Sequence, residues 1–187
     1  MCGVDACFGG GPQWCRMAAG SLERLKALIV EDNAHMRTLL KSLLKSLGIR
    51  EVFEATDGDE GFYELHATRP DFVLSDLSMA PVDGLAFTMR VRQAADSPNP
   101  YIPIIMVTGH TERRYIESAR DAGVTELLAK PITPKSLCLR LEEIVERPRP
   151  FVRCDTFFGP DRRRRRAPGH PGPWRRASDR DGAVEIR

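Results

Sequence analysis

Residues 25–33 read L-K-A-L-I-V-E-D-N, and this stretch decides the fold. Leu25, Ala27, Leu28, Ile29 and Val30 form a short apolar run that stops abruptly at Glu31-Asp32-Asn33. A continuous run of that length fits a strand buried on both faces, as in a parallel sheet. The next segment has a different period. Met36, Leu39, Leu40, Leu43, Leu44 and Leu47 recur at helical spacing, with Arg37, Lys41 and Lys45 facing away. Gly48 supplies the stop.

Outward from this unit the alternation repeats. Strands are expected at Glu51–Ala55, Asp71–Ser75, Ile102–Val107 and Thr125–Ala129. Helices are expected at Asp57–Thr68, near Gly84–Ala95, at Glu112–Ala122, and after Lys130-Pro131 to about Glu146, the last burying Leu137, Leu141, Ile144 and Val145. Arg69-Pro70, Ser97-Pro98-Asn99-Pro100 and Gly123 punctuate the pattern. Strict alternation implies right-handed βαβ crossovers and one parallel sheet. About 125 residues suffice for an α/β, doubly wound, five-stranded parallel sheet.

The flanks read differently. Residues 1–21 are Gly-rich with little apolar periodicity and are expected to be a disordered leader, with Met17 an alternative start. Residues 22–147 hold 16 Lys and Arg against 20 Asp and Glu, net −4, whereas residues 148–187 hold 11 Arg against 5 acids, net +6. An acidic body with a basic, Pro-rich tail suggests a folded domain and a disordered appendage. No apolar run approaches the length needed to cross a bilayer, and no export signal is visible, so a cytoplasmic location is expected. The five cysteines are odd in number, which argues against a disulfide framework. Cys2, Cys7 and Cys15 match no zinc spacing.

In an open parallel sheet, chemistry gathers where loops leave the carboxyl ends of the strands. Glu31 and Asp32 follow the first strand, Asp76 the third, Thr108 the fourth and Lys130 the fifth. Any one of them reads as an ordinary helix cap or surface residue. Five together, at the ends of different elements, reverse that reading. Three clustered carboxylates call for a hard divalent cation such as Mg²⁺. With an ammonium and a hydroxyl beside them, the set suits phosphoryl transfer, which depends on positioning and charge neutralisation.

L-I-V-E-D-N at 28–33, V-L-S-D-L-S-M-A-P-V-D-G at 73–84, P-I-I-M-V-T-G-H at 103–110 and A-K-P at 129–131 resemble the receiver domain of two-component response regulators, over about Lys26 to Arg147. The resemblance is to the single-domain, chemotaxis-type regulators, and it implies a flavodoxin-like fold. It also implies that Asp76 accepts a phosphoryl group from a histidine kinase or phosphotransfer protein. Asp32, Asp76 and the Ser78 backbone carbonyl would hold Mg²⁺, with Glu31 acting through water. Lys130 and Thr108 would contact the phosphoryl oxygens, and the Lys130-Pro131 bond is expected to be cis. Ser78 and His110 occupy positions that tune dephosphorylation, although His110 reads equally as an exposed loop residue. The chain would be a phosphoacceptor switch and not an enzyme, with at most slow self-dephosphorylation. Two departures stand out. Leu127 replaces the aromatic residue usual at the switch position, and Ala80 stands where Pro is common.

The tail also resembles that of a group of alphaproteobacterial receivers. Phe157-Phe158-Gly159-Pro160-Asp161-Arg162-Arg163 is echoed by Gly172-Pro173-Trp174-Arg175-Arg176, a repeated Gly-Pro-x-Arg-Arg. Three readings compete for it: docking of an output protein, folding back onto the acidic receiver, and charge-driven binding of nucleic acid or an anionic membrane by Arg162–Arg166. Protein docking is favoured, because charge alone does not explain a repeat. The rival for the whole chain is a nucleic-acid-binding protein that acts through this tail under a regulatory receiver. A phosphatase or hydrolase would need a second catalytic acid, for which the sequence offers no good candidate.

Overall fold

The structure is a computed structural model and describes residues 22–109, 112–154, 157–162 and 184–186. The expected alternation is present. The elements are β1 (Lys26–Val30), α1 (Ala34–Ser46), β2 (Glu51–Ala55), α2 (Gly58–Thr68), β3 (Phe72–Asp76), α3 (Gly84–Gln93), β4 (Ile104–Thr108), α4 (Arg113–Ala122), β5 (Glu126–Ala129) and α5 (Pro134–Glu146). The five strands pair in parallel in the order β2-β1-β3-β4-β5.

Side-chain alternation along each strand divides the core. Ala27 and Ile29 of β1 join Phe72, Leu74, Ile105 and Val107 against Leu40 and Leu44 of α1 and Leu137, Leu141 and Ile144 of α5. Leu28 and Val30 point the other way, to Phe62 and Leu65 of α2 and Phe87 and Val91 of α3. Both faces of the sheet are therefore covered, which is why β1 and β3 read as continuous apolar runs.

Local chemistry sets the boundaries. The Asn33 side chain accepts from the backbone N–H groups of His35 and Met36 and starts α1, and Asp57 does the same for α2 through Asp59 and Glu60. A capping box between Thr133 and Ser136 opens α5, with Pro134 at its first position. Gly123 closes α4 at φ +95°, a left-handed cap that glycine adopts without strain.

Three expectations need correction. Leu39 and Val145, both assigned to buried faces, are 45% and 39% exposed, because the apolar stripes of α1 and α5 are narrower than the periodicity suggests. Arg37, expected to face away, turns back over the β1–α1 loop. The third concerns the tail. Within the stretch expected to be disordered, β6 (Phe151–Cys154) pairs antiparallel with β7 (Phe157–Pro160) and with β8 (Val184–Ile186). The reason is aromatic burial: the rings of Phe151 and Phe158 each lie 5.2 Å from that of Tyr101. Arg163–Arg166 and the second Gly-Pro-x-Arg-Arg lie outside the described residues, as do His110, residues 1–21 and the three leader cysteines.

Cys154 is free, while Cys138 of α5 is disulfide-bonded and its partner lies outside the described residues. The odd cysteine count excludes complete pairing but not a single bridge. Among the described residues no helix is long and apolar enough to cross a membrane.

Candidate functional site

Strand order reverses direction between β1 and β3, and at such a switch point the loops leave a crevice at the carboxyl ends of the strands. Asp76 is the last residue of β3 and is buried, 6% exposed. One of its oxygens, Oδ1, lies 2.8 Å from Lys130 Nζ, and the other, Oδ2, accepts from the Ser78 backbone N–H at 3.1 Å. Lys130 follows β5 directly and also reaches Glu31 Oε2 at 3.5 Å. Its peptide bond to Pro131 is cis, as is that between Ala80 and Pro81.

Glu31 is buried at the end of β1, with its backbone N–H bonded to the Ala55 carbonyl at 3.0 Å. Asp32, the next residue, is exposed, and so is Ser78, two residues beyond Asp76. Thr108 ends β4, buried, and its carbonyl accepts from the Lys130 backbone N–H at 2.8 Å. Leu127 is half-buried on β5 and packs against Leu77, Met106, Ala119 and Val124. Glu31, Asp76 and Lys130 are thus in contact, with Asp32, Ser78 and Thr108 at the rims of the same end.

The electrostatics follow from burial. Desolvation holds the Glu31 carboxyl above its ordinary value, and the negative charge of Asp76 adds to the effect; Lys130 opposes it. Partial burial works against the Lys130 ammonium, but the hydrogen bond and charge of Asp76, helped by Glu31, outweigh it and raise the group above its ordinary value. One ammonium faces the two carboxylates of Glu31 and Asp76, so this end of the sheet retains an excess of negative charge. Among the described residues no three His, Cys, Asp or Glu side chains gather as a ready-made metal cage. Mg²⁺ needs none, since it takes one or two carboxylates and keeps its waters. The donor set fits that ion in charge and in oxygen chemistry.

Two residues in this region were not singled out from the sequence. The Arg37 guanidinium donates from Nη1 to the carbonyls of Glu31 (2.8 Å) and Asp32 (3.1 Å) and pairs with Glu54 of β2, so it pins the loop that carries both acids. Helical periodicity gives no hint of this, because the contact is made to backbone. Gly84 lies so close to Asp76 that a Cβ there would stand 2.1 Å from the Asp76 carbonyl oxygen. The Val82-Asp83-Gly84 sequence offered a partial signal, since a glycine opening a helix permits close backbone approach.

The response regulator receiver domain family matches residues 27–142. A chemotaxis protein CheY from Pseudomonas aeruginosa is 37% identical over 123 residues, which span 66% of this chain and 98% of that protein. Chemotaxis protein CheY-3 from Vibrio cholerae is 34% identical over 125 residues, 67% of this chain and 95% of that protein. Among solved structures, the receiver domain of sensor histidine kinase PA1611 from Pseudomonas aeruginosa, with a magnesium ion coordinated in its active-site cleft, is similar at a TM-score of 0.57 and 29% identity, covering 64% of this chain and 95% of that one. Motif order, sheet order and the acidic crevice agree with these likenesses, and the chain belongs to the response-regulator receiver family.

Proposed function

We propose that the chain is a phosphoacceptor switch in which Asp76 takes a phosphoryl group from a phosphohistidine of a histidine kinase or phosphotransfer protein, and that the modification changes affinity for a partner protein. One observation carries the reading: a buried aspartate at the topological switch point, with Lys130 on one oxygen and a backbone N–H on the other.

In the reaction an Asp76 carboxylate oxygen attacks phosphorus, the P–N bond breaks, and its electron pair returns to the donor imidazole. The N–H of Ser78 holds Asp76 Oδ2, which fixes the carboxylate plane relative to the incoming group. Lys130, already at 2.8 Å from Oδ1, is near enough to turn its ammonium toward a phosphoryl oxygen as the acyl phosphate forms. The Thr108 hydroxyl is the second donor. Asp32, Asp76 and the Ser78 carbonyl are the residues that would hold Mg²⁺, with Glu31 acting through water. When bound, the ion neutralises charge developing on the phosphoryl oxygens. Ser78 and His110 stand at positions suited to tuning the lifetime of the product, and Leu127 at the switch position supplies packing without an aromatic ring. The related receiver with magnesium in its cleft supports the choice of ion.

The test is direct. Incubated with acetyl phosphate and Mg²⁺, the protein should gain the mass of one phosphoryl group, and Asp76→Asn should gain none. Phosphorylation of the Asn variant would sink the assignment.

A further inference from the structure

The segment that leaves α5 is bound to the receiver at several points. Arg149 reaches Glu126, the first residue of β5, whose side chain is 2% exposed and which also pairs with Arg140 of α5 at 3.4 Å. Phe151 and Phe158 pack on Tyr101, and the buried guanidinium of Arg92 sits 5.2 Å from the centre of the Phe151 ring. Arg92 Nε donates to the Gly123 carbonyl (3.0 Å) and Nη1 to that of Pro100 (2.7 Å), tying α3 to the turn after α4 beneath the rings. Gly159 packs against Gly123 so closely that a Cβ on Gly159 would lie 2.9 Å from the Gly123 Cα. Arg162 pairs with Asp121 of α4 at 3.2 Å and lies 4.0 Å over the Phe157 ring.

These contacts grip the amino end of β5 and the carboxyl end of α4. Lys130 directly follows the opposite end of β5, and the strand before α4 ends in Thr108; these are the two donors proposed for the acceptor site. β5 has four residues and lies at the sheet edge, hydrogen-bonded on one side only, to β4. So short a strand moves as a unit, and a displacement at Lys130 reaches Glu126 about 13 Å away at 3.3 Å per residue. In the structure the contacts of Arg149, Phe151, Phe158, Gly159 and Arg162 are made while Lys130 is held by Asp76 and Glu31.

We infer that Arg149–Cys154 and Phe157–Arg162 form a clasp fitted to the unphosphorylated receiver and loosened when Asp76 carries a phosphoryl group. The inference rests on the acceptor role proposed for Asp76 and names how that site is regulated. A phosphoryl group draws Lys130 and Thr108 toward new oxygens, and Lys130 gives up its contact with Glu31. The resulting shift of β5 and of the loop into α4 misaligns Glu126 and Asp121 with their arginines and opens the Gly123–Gly159 contact, which has no slack. Coupling of this kind is reciprocal: whatever weakens the clasp favours the phosphorylated arrangement by the same factor.

The test uses the full chain with Mg²⁺ and beryllofluoride, a non-covalent phosphoryl mimic. Amide hydrogen exchange in Phe151–Cys154 and Phe157–Pro160 should accelerate by about 5-fold or more when the mimic binds. Exchange that stays the same or slows while the mimic binds overturns the clasp and leaves the acceptor reading intact. The Arg149→Gln/Arg162→Gln double variant should exchange rapidly in both strands without the mimic and should bind beryllofluoride more tightly by the same factor. An unchanged affinity reduces the segment to a structural cover and overturns the inference. If the wild-type protein shows no Mg²⁺-dependent binding of the mimic, the acceptor role fails, and the clasp, with no signal to read, fails with it.

Discussion

At the scale of single residues, the acceptor role proposed for Asp76 depends on its immediate surroundings. Gly84 is the clearest case, because its missing side chain leaves room for the Asp76 carbonyl. Gly84→Ala should lower stability by about 1–3 kcal/mol through overpacking against backbone that cannot yield. It should also slow acetyl phosphate labelling; an unchanged urea midpoint would show that the loop relaxes freely. Glu31 supplies a pH signature. Its folded carboxyl is raised above the unfolded value by burial and by Asp76, so its stabilising contribution is complete below an unfolded value of about 4.3 and is lost as pH rises through the folded value. In the metal-free protein, Glu31→Gln should therefore be the more stable form at neutral pH, with the gap closing on acidification toward that lower limit. Melting curves of both forms across the range measure it, and parallel curves would refute it.

At the scale of elements, periodicity located every helix and strand of the receiver, with boundaries shifted by one or two residues. It failed for side chains whose partners belong to other elements. Arg37 looks like the solvated face of α1, yet its guanidinium binds the carbonyls of Glu31 and Asp32. Arg92, a helix cation that periodicity does not single out, is 3% exposed, and burial pushes its guanidinium down to about 9, still charged at neutral pH. The tail strands escaped for the opposite reason. Phe151 and Phe158 stand among prolines and arginines, a composition typical of disorder, and only contact with Tyr101 and the α3–α4 corner gives them something to bury against. Phe158→Ala should cost about 3 kcal/mol if this corner belongs to the cooperative fold. Chemical denaturation would report it, and a loss near zero would mean that β6 and β7 unfold independently.

At the scale of the whole molecule, the acidic crevice and the covered corner lie at opposite ends of the same strands and share β5. An ion that binds the folded chain and not the unfolded one must stabilise it. Mg²⁺ at 100 times its dissociation constant should add about 2.7 kcal/mol. The gain should vanish in Asp32→Asn and on chelation. A melting temperature indifferent to Mg²⁺ in the wild-type protein would contradict the proposed metal site. The excess of carboxylate over ammonium at the crevice is why the effect should be largest there.

The division between sequence and tertiary structure has a physical basis. Alternating apolar periods, helix caps and punctuating glycines are local, so the sequence alone determined an α/β parallel sheet and named the strand ends from which Glu31, Asp32, Asp76, Thr108 and Lys130 project. Parallel topology then brings those ends together without further information. The tertiary structure decided what lies between elements distant in the chain: Lys130 against Asp76, Arg37 over the acidic loop, and Arg149 against Glu126. It also decided that a segment with the composition of a disordered tail closes over the α3–α4 corner. Periodicity records which face of an element is apolar, but not which loop or strand end that face will meet.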